Sequence, residues 1–275
     1  MNWKRFGAVF AAAALCLSAL AGCSNGGAGN SQAPADGDLR DLLAQIQAKG
    51  EITVALEGTW APWGYHDEDN NLVGYDVEVA QAIAGKLGVK ATFVEGEWDG
   101  LLAGIESGRY DIMANGVDVE GREDVYNFST PYAYNRTVVI TRADDDSIQS
   151  MEDLDGKTTA NTLNSTYANV AEGYGASVTP VDDFIQTIEL LTSERIDATL
   201  NAEVSYYDYI GVHPDAPIKI ACIDSESTRV AIPMRKGEET DSLRDAVDQA
   251  LAELAQDGTL SDLSMKYFGT DISHP

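Results

Sequence analysis

What most constrains this chain is an order of apolar runs in which strand and helix periods alternate. Residues 52–56, ITVAL, form a buried-strand run. Residues 77–87 carry Val77, Ala80, Ala84 and Leu87 along one helical side before Gly88, and residues 90–94 read as the next strand. Residues 98–107 turn Leu101, Leu102 and Ile105 to one face before Gly108, and residues 112–114, IMA, form a third strand. Parallel neighbours need a crossover long enough to hold a helix, so strand, helix, strand, helix, strand predicts a parallel sheet with covering helices. Leu39, Leu42, Leu43 and Ile46 give an opening helix before Gly50, and residues 57–71, with Pro62, read as a loop. The pattern then restarts, with strands at 138–141, 158–161, 198–200, 218–220 and 230–234. Helices are predicted over 166–174 and 182–194, then along Leu243, Val247, Ala250, Leu251 and Leu254, and over 260–267. Two such units without a long linker predict two lobes facing across a cleft, where ligands bind in such architectures. No repeat of fixed period is visible.

Between the third strand and the second unit lies residues 111–132, DIMANGVDVEGREDVYNFSTPY. The strand runs into a turn at Asn115 and Gly116, and Arg122 follows. A guanidinium beside a turn rich in backbone N–H groups suits a carboxylate, because the planar fork donates two parallel hydrogen bonds. The competing reading is a solvated arginine paired with Glu120, Glu123 or Asp124. Glu57, after the first strand, reads either as a contact for a ligand amine or as a structural acid.

The N-terminus has a basic pair, Lys4 and Arg5, an apolar run over 6–20, and small residues before Cys23. That layout predicts a signal peptide over 1–22 rather than a membrane span. Residues 23–38, rich in Gly, Ser, Asn, Ala and Pro, read as a flexible tether. Removal of the two basic side chains of the signal takes the formal charge from −27 to −29. So acidic a surface repels nucleic acid, and that class of partner is excluded. Cys16 lies in the signal and Cys23 at its end, which leaves Cys222 without a partner for a disulfide; its apolar stretch predicts a buried, inert thiol. His66, His213 and His274 lack ligand spacing, so no metal and no cofactor are expected. Gly156-Lys157-Thr158 lacks the first glycine of a phosphate loop, and no Gly-x-Ser-x-Gly elbow occurs.

Eight short segments then occur in one order: LEGTWAPW (56–63), LVGYDVE (72–78), EWDGL (97–101), SGRYD (107–111), NGV (115–117), FSTPY (128–132), DLDGK (153–157) and DGTL (257–260). Through them the chain resembles bacterial extracellular solute-binding protein family 3, the polar amino-acid substrate-binding components of ABC importers, with its nearest likeness to cystine-binding members. The resemblance implies an α/β, two-lobed periplasmic-binding-protein-like fold. Each lobe would be a mostly parallel sheet with flanking helices, the first over 39–137 plus 229–275 and the second over 138–228, joined by a two-strand hinge near 135–137 and 226–229. It implies that Arg122 grips the ligand α-carboxylate, with Asn115, Gly116 and Asp118 as the turn that adds contacts. Trp60 and Trp98 would wall the side-chain slot, although core packing is the plain alternative for either. Ser165 and Thr166 would meet the carboxylate on closure. Asp118 stands where a hydroxyl is common, and its side chain is expected to point away, leaving only its N–H to contribute. Where an acid would hold the α-ammonium stands Ala202, and the role falls to Glu203. Cys23 matches the lipidated residue of the lipobox, which implies an exported monomer anchored to the outer face of the cell membrane or in the periplasm, with an ABC permease as partner. No enzyme is expected; the alternatives are a cyclohexadienyl-type dehydratase on the same fold and a surface receptor that binds protein.

Overall fold

The computed structural model describes residues 41–275. The expected signal over 1–22, the tether over 23–38 with Cys23, and residues 39–40 lie outside the described residues. The first element, α1 (Leu42–Lys49), starts where Asp41 accepts the amide of Ala44 at 3.0 Å and stops at Gly50. After β1 (Glu51–Leu56) comes a small antiparallel sheet of β2 (Thr59–Trp60), β3 (Gly64–His66) and β4 (Leu72–Val73), the first two of them in the stretch expected to be loop. These strands are too short to print a period-2 pattern. Next are α2 (Tyr75–Lys86), β5 (Lys90–Glu95), α3 (Trp98–Glu106) and β6 (Ile112–Met113). Their sheet has the order β5-β1-β6, parallel throughout, with Val54 beside both Phe93 and Ile112. Leu101, Ile105, Met113 and Ala55 pack together on one of its faces, and Val54, Val79 and Ile83 belong to the larger core.

After β7 (Tyr126–Phe128), the strand β8 (Ala133–Arg142) leads into the second lobe, made of β9 (Thr158–Thr162), α4 (Thr166–Gly173), β10 (Ser177–Val181), α5 (Phe184–Thr192), β11 (Thr199–Ala202) and α6 (Glu203–Val212). The strand β12 (Ile218–Val230) leads back. The chain ends with β13 (Pro233–Arg235), which pairs with β7, and with α7 (Asp241–Gln256) and α8 (Thr259–Phe268). The second lobe holds a parallel pair and a three-stranded antiparallel sheet, linked through a bridge between Thr159 and Ala198, where one mostly parallel sheet is expected. Strands β9 and β10 are parallel, but β8 pairs antiparallel with both β11 and β12. The reason is connectivity: β8 carries the chain out of the first lobe and β12 carries it back, so adjacent crossings must run in opposite directions.

The two segments expected as hinges lie side by side in that pair, with Ser227 opposite Arg136 and Thr228 opposite Asn135. The register shifts between Ile223 and Ser227, so residues 224–226 bulge from the ladder there. Cys222 is half-buried rather than buried, and burial pushes its thiol up to about 11, consistent with an inert group. Among the described residues no helix is long and apolar enough to cross a membrane.

Candidate functional site

In a parallel sheet the strands deliver their C-terminal ends to one edge, and the first lobe builds its half of the site there. Glu57 follows β1, Trp98 opens α3 shortly after β5, and Asn115 and Gly116 follow β6. The Asn115 side chain joins two of these ends: its Oδ1 accepts from Glu57 N at 2.8 Å and its Nδ2 donates to Glu57 Oε2 at 2.7 Å. Gly116 sits at φ +54°, and a Cβ there would come within 2.7 Å of the Trp60 ring, so the turn needs glycine both for its backbone and for the approach of the indole. The Gly116 N–H donates to Asp76 Oδ2 at 2.6 Å, although the turn as a whole is expected to add contacts to a ligand.

The second lobe repeats the device. The loop after β9 supplies Thr162, Asn164, Ser165 and Thr166, and Ser165 caps α4 by accepting from Ala168 N at 3.1 Å. Asp183, after β10, caps α5. Between the lobes is a cavity lined by Glu57, Thr59, Trp60, Trp98, Gly116, Asp118, Thr162, Ser165, Thr166, Tyr167, Asp183, Phe184 and Asn201. Aromatic walls with a few convergent polar and acidic groups are the lining of a small-molecule site. Trp60 stacks on Trp63, centroids 5.5 Å apart, and meets Tyr167 of the second lobe edge-on at 6.4 Å.

Arg122 is 8% exposed, which removes the surface-arginine reading; Glu120 and Glu123 pair with Arg229. Its Nη1 donates to Thr166 Oγ1 at 2.7 Å and to the Asp118 carbonyl at 3.3 Å, and its Nη2 donates to the Asn164 carbonyl at 2.9 Å. Its Cζ lies 5.6 Å from the Trp98 ring centre. Arg122 does not line the cavity itself but touches three residues that do. Five N–H groups less three leaves Nε–H and one Nη2–H, the edge that receives a carboxylate bidentately.

Of the other residues expected at the site, Asn115 is buried and acts on Glu57 rather than facing the cavity. Asp118 lines the cavity, and its side chain is buried beside Arg122, Thr166 and Thr228. Glu203 is displaced: it pairs with Arg136 at 2.7 Å and is not among the lining residues. The strand β11 ends at Ala202, and the start of α6 turns Glu203 out of the alternation that brings Asn201 to the cavity. Thr59, Thr162, Tyr167, Asp183, Phe184 and Asn201 were not expected as site residues. For Asp183 a signal exists, since Asp followed three residues later by Gln186 is a helix-start pattern that marks the edge of a parallel sheet.

Burial pushes the Glu57 carboxyl up to about 7 against its Asn115 bond, and the carboxylates of Glu97 and Asp183 add to the rise. Burial likewise raises Asp118, with the hydroxyls of Thr228 and Thr166 and the Arg122 guanidinium opposing it.

The model of the bacterial extracellular solute-binding proteins, family 3, matches residues 52–270. The chain is 40% identical over 259 residues to the L-cystine-binding protein TcyA of Bacillus subtilis (strain 168), covering 94% of this chain and 95% of that one. It is 33% identical to the L-cystine-binding protein TcyJ of Escherichia coli (strain K12), covering 84% and 88%. Among solved structures, an ancestral arginine-binding protein bound to arginine is 34% identical, covers 80% of this chain and 99% of its own, and superposes with a TM-score of 0.74. The L-cystine solute receptor of Neisseria gonorrhoeae, in its unliganded open conformation, is 39% identical over 86% and 100%, with a TM-score of 0.58. The lower score at higher identity agrees with lobes that meet here, as the Arg122 bonds require.

Proposed function

We propose a function that proceeds from one fact: the chain belongs to the bacterial extracellular solute-binding proteins, family 3. It is a binding protein rather than an enzyme. On this reading it is the capture component of an ABC importer for a free amino acid, a monomer outside the cytoplasm, anchored through a lipid on Cys23 and read by a membrane permease. The lobes are 39–137 plus 229–275 and 138–228, and they close about the bulged β8–β12 pair. The ligand α-carboxylate lies on the remaining edge of Arg122, Trp60 and Trp98 wall the side chain, and Ser165 and Thr166 complete the site on closure. The observation that carries this reading is a buried guanidinium, bonded to both lobes, with two adjacent donors uncommitted.

Cystine is the first ligand to test, because relatives of 40% and 33% identity are named for it. Arginine is the second reading, favoured by the carboxylates of Glu57 and Asp183 on the cavity wall. A thermal-shift screen against the twenty amino acids and L-cystine tests both, since a ligand that binds only the folded form raises the melting temperature by mass action. Arg122→Ala abolishes the shift for every ligand, and Trp98→Ala changes which ligand gives the largest. Equal shifts in wild type and Arg122→Ala would overturn the clamp.

A further inference from the structure

We infer that Asp118, and not Glu203, takes the α-ammonium of the bound amino acid, so that the first lobe alone holds both charges of the zwitterion. The inference rests on the amino-acid reading of the cavity. An α-amino acid carries ammonium and carboxylate on one carbon, so the acid that matches the ammonium must adjoin the guanidinium that matches the carboxylate. Burying either charge without its partner is strongly unfavourable.

Three acids line the cavity: Glu57, Asp118 and Asp183. Asp183 is committed to the start of α5, where its Oδ1 accepts from Gln186 N at 2.9 Å and its Oδ2 from Gln186 Nε2 at 3.0 Å. Glu57 is tied to Asn115, and the charges that act on it are the carboxylates of Glu97 and Asp183, with no cation among them. Asp118 adjoins the guanidinium: its carbonyl accepts from Arg122 Nη1 at 3.3 Å, and Arg122 acts on its carboxylate. The residue is 4% exposed, and its Oδ1 is buried without a hydrogen-bond partner among the described residues. The hydroxyls of Thr228 and Thr166 act on this carboxylate but leave Oδ1 without a donor, which is costly for a buried oxygen, and an ammonium supplies three donors.

The second lobe offers nothing equivalent. Glu203 is held outside the cavity by Arg136, Ala202 occupies the position where the resemblance implies an acid, and Asn201 brings an amide. Asp118 and Ala202 together read as an exchange, in which the acid has moved from the closing lobe to the lobe that carries Arg122. The head of the ligand can then dock on the first lobe before the second arrives.

Titration calorimetry on wild type, Asp118→Asn and Glu203→Gln, with L-cystine and L-arginine, tests the assignment. Asp118→Asn is expected to weaken binding by about 30-fold or more, and Glu203→Gln by less than about twofold. 5-Guanidinopentanoic acid, which is arginine without its α-ammonium, separates recognition from folding: Asp118→Asn narrows the preference for arginine over this probe. Asp118→Ser, with the shorter polar side chain, repeats the comparison if the asparagine variant folds poorly. Unchanged affinity in Asp118→Asn, loss carried by Glu203→Gln, or equal weakening of arginine and the probe would each overturn the assignment while leaving the amino-acid site standing. If wild type bound neither amino acid, the parent reading would fall first and take this one with it.

Discussion

Burial lifts two carboxyls of the first lobe to about 7: Glu57 at the cavity, and Asp76 beneath it despite bonds from the Tyr132 hydroxyl and the Gly116 amide. In the unfolded chain such groups titrate near 4, so the folded form holds their protons more tightly. Each therefore contributes stability that is fully present below about pH 4 and is lost as pH rises through about 7. Carboxyls held below their ordinary range, such as Asp67 with its Asn71 bonds, act in the opposite sense, but in more acidic solution. The ligand-free melting temperature is thus expected to rise as pH falls from 8 to 5.5. Glu57→Gln removes the cost of burying a charge at pH 8 and changes little at pH 5.5. It should raise the melting temperature at pH 8 by about 2–8 °C, the span for ~1–2 kcal/mol in a protein of this size. The variant isolates Glu57 from exposed His66, which Glu95 raises and which titrates in the same direction. Parallel pH curves for the two proteins would show that another group is responsible.

At the scale of elements, the binding turn after β6 is fastened to the first turn of α2. Asp76 accepts from Gly116 N and from Tyr132 Oη, each at 2.6 Å, and is 0% exposed. Asp76→Ala strips the acceptor from two buried donors, at about 1–3 kcal/mol each. Urea unfolding should report a loss of about 2–5 kcal/mol, with the larger part recovered in Asp76→Asn, which keeps one acceptor oxygen. A midpoint equal to wild type would mean that the turn stands without this tie. The elements around it were legible because Val77, Ala80 and Ala84 or Leu101 and Ile105 print a helical period, and ITVAL prints a buried strand. Others leave no local trace. The apolar residues of α6 (Val204, Tyr206, Tyr207, Tyr209, Ile210 and Val212) run round the helix instead of making a stripe, and Tyr207 and Val212 are exposed. The strand β10 carries Pro180 and turns mostly polar, exposed residues to solvent, so its period is blurred. Pairing of β7 with β13 is a contact between distant segments that no window contains. The site divides the same way. Residues at the ends of recognised strands, such as Glu57, Trp98 and Gly116, lie on the cavity wall, as does Asp183 after the unrecognised β10, which carried no expectation. Asn201 leaves no such signal, because the end of β11 decides which of Asn201 and Glu203 faces inward.

For the whole molecule, the proposed closure of the lobes would draw on the contacts that cross between them. The Arg122 bonds to Thr166 and Asn164 also belong to the proposed ligand site, so changing them would alter recognition as well as closure. Asn164 offers a contact that does not: its Nδ2 donates to Asp99 Oδ1 at 3.0 Å, from the second lobe to the first turn of α3 in the first. Neither side chain lines the cavity. The backbone of Asn164 is left-handed, at φ 59°, so alanine there would add strain, whereas glycine keeps the conformation and the carbonyl that Arg122 uses. Asn164→Gly thus removes the latch and leaves the clamp. An exposed hydrogen bond of this kind is worth about 0.5–1.5 kcal/mol net, which acts on the closed state and so on release. Stopped-flow fluorescence, with Trp60 and Trp98 at the cavity as reporters, should give a dissociation rate about three- to tenfold faster and an association rate within about twofold of wild type. Asp99→Ala should match it, and the double variant should show no further gain, because both changes remove the same bond. A dissociation rate unchanged in all three would mean that closure is held by the ligand and Arg122 alone.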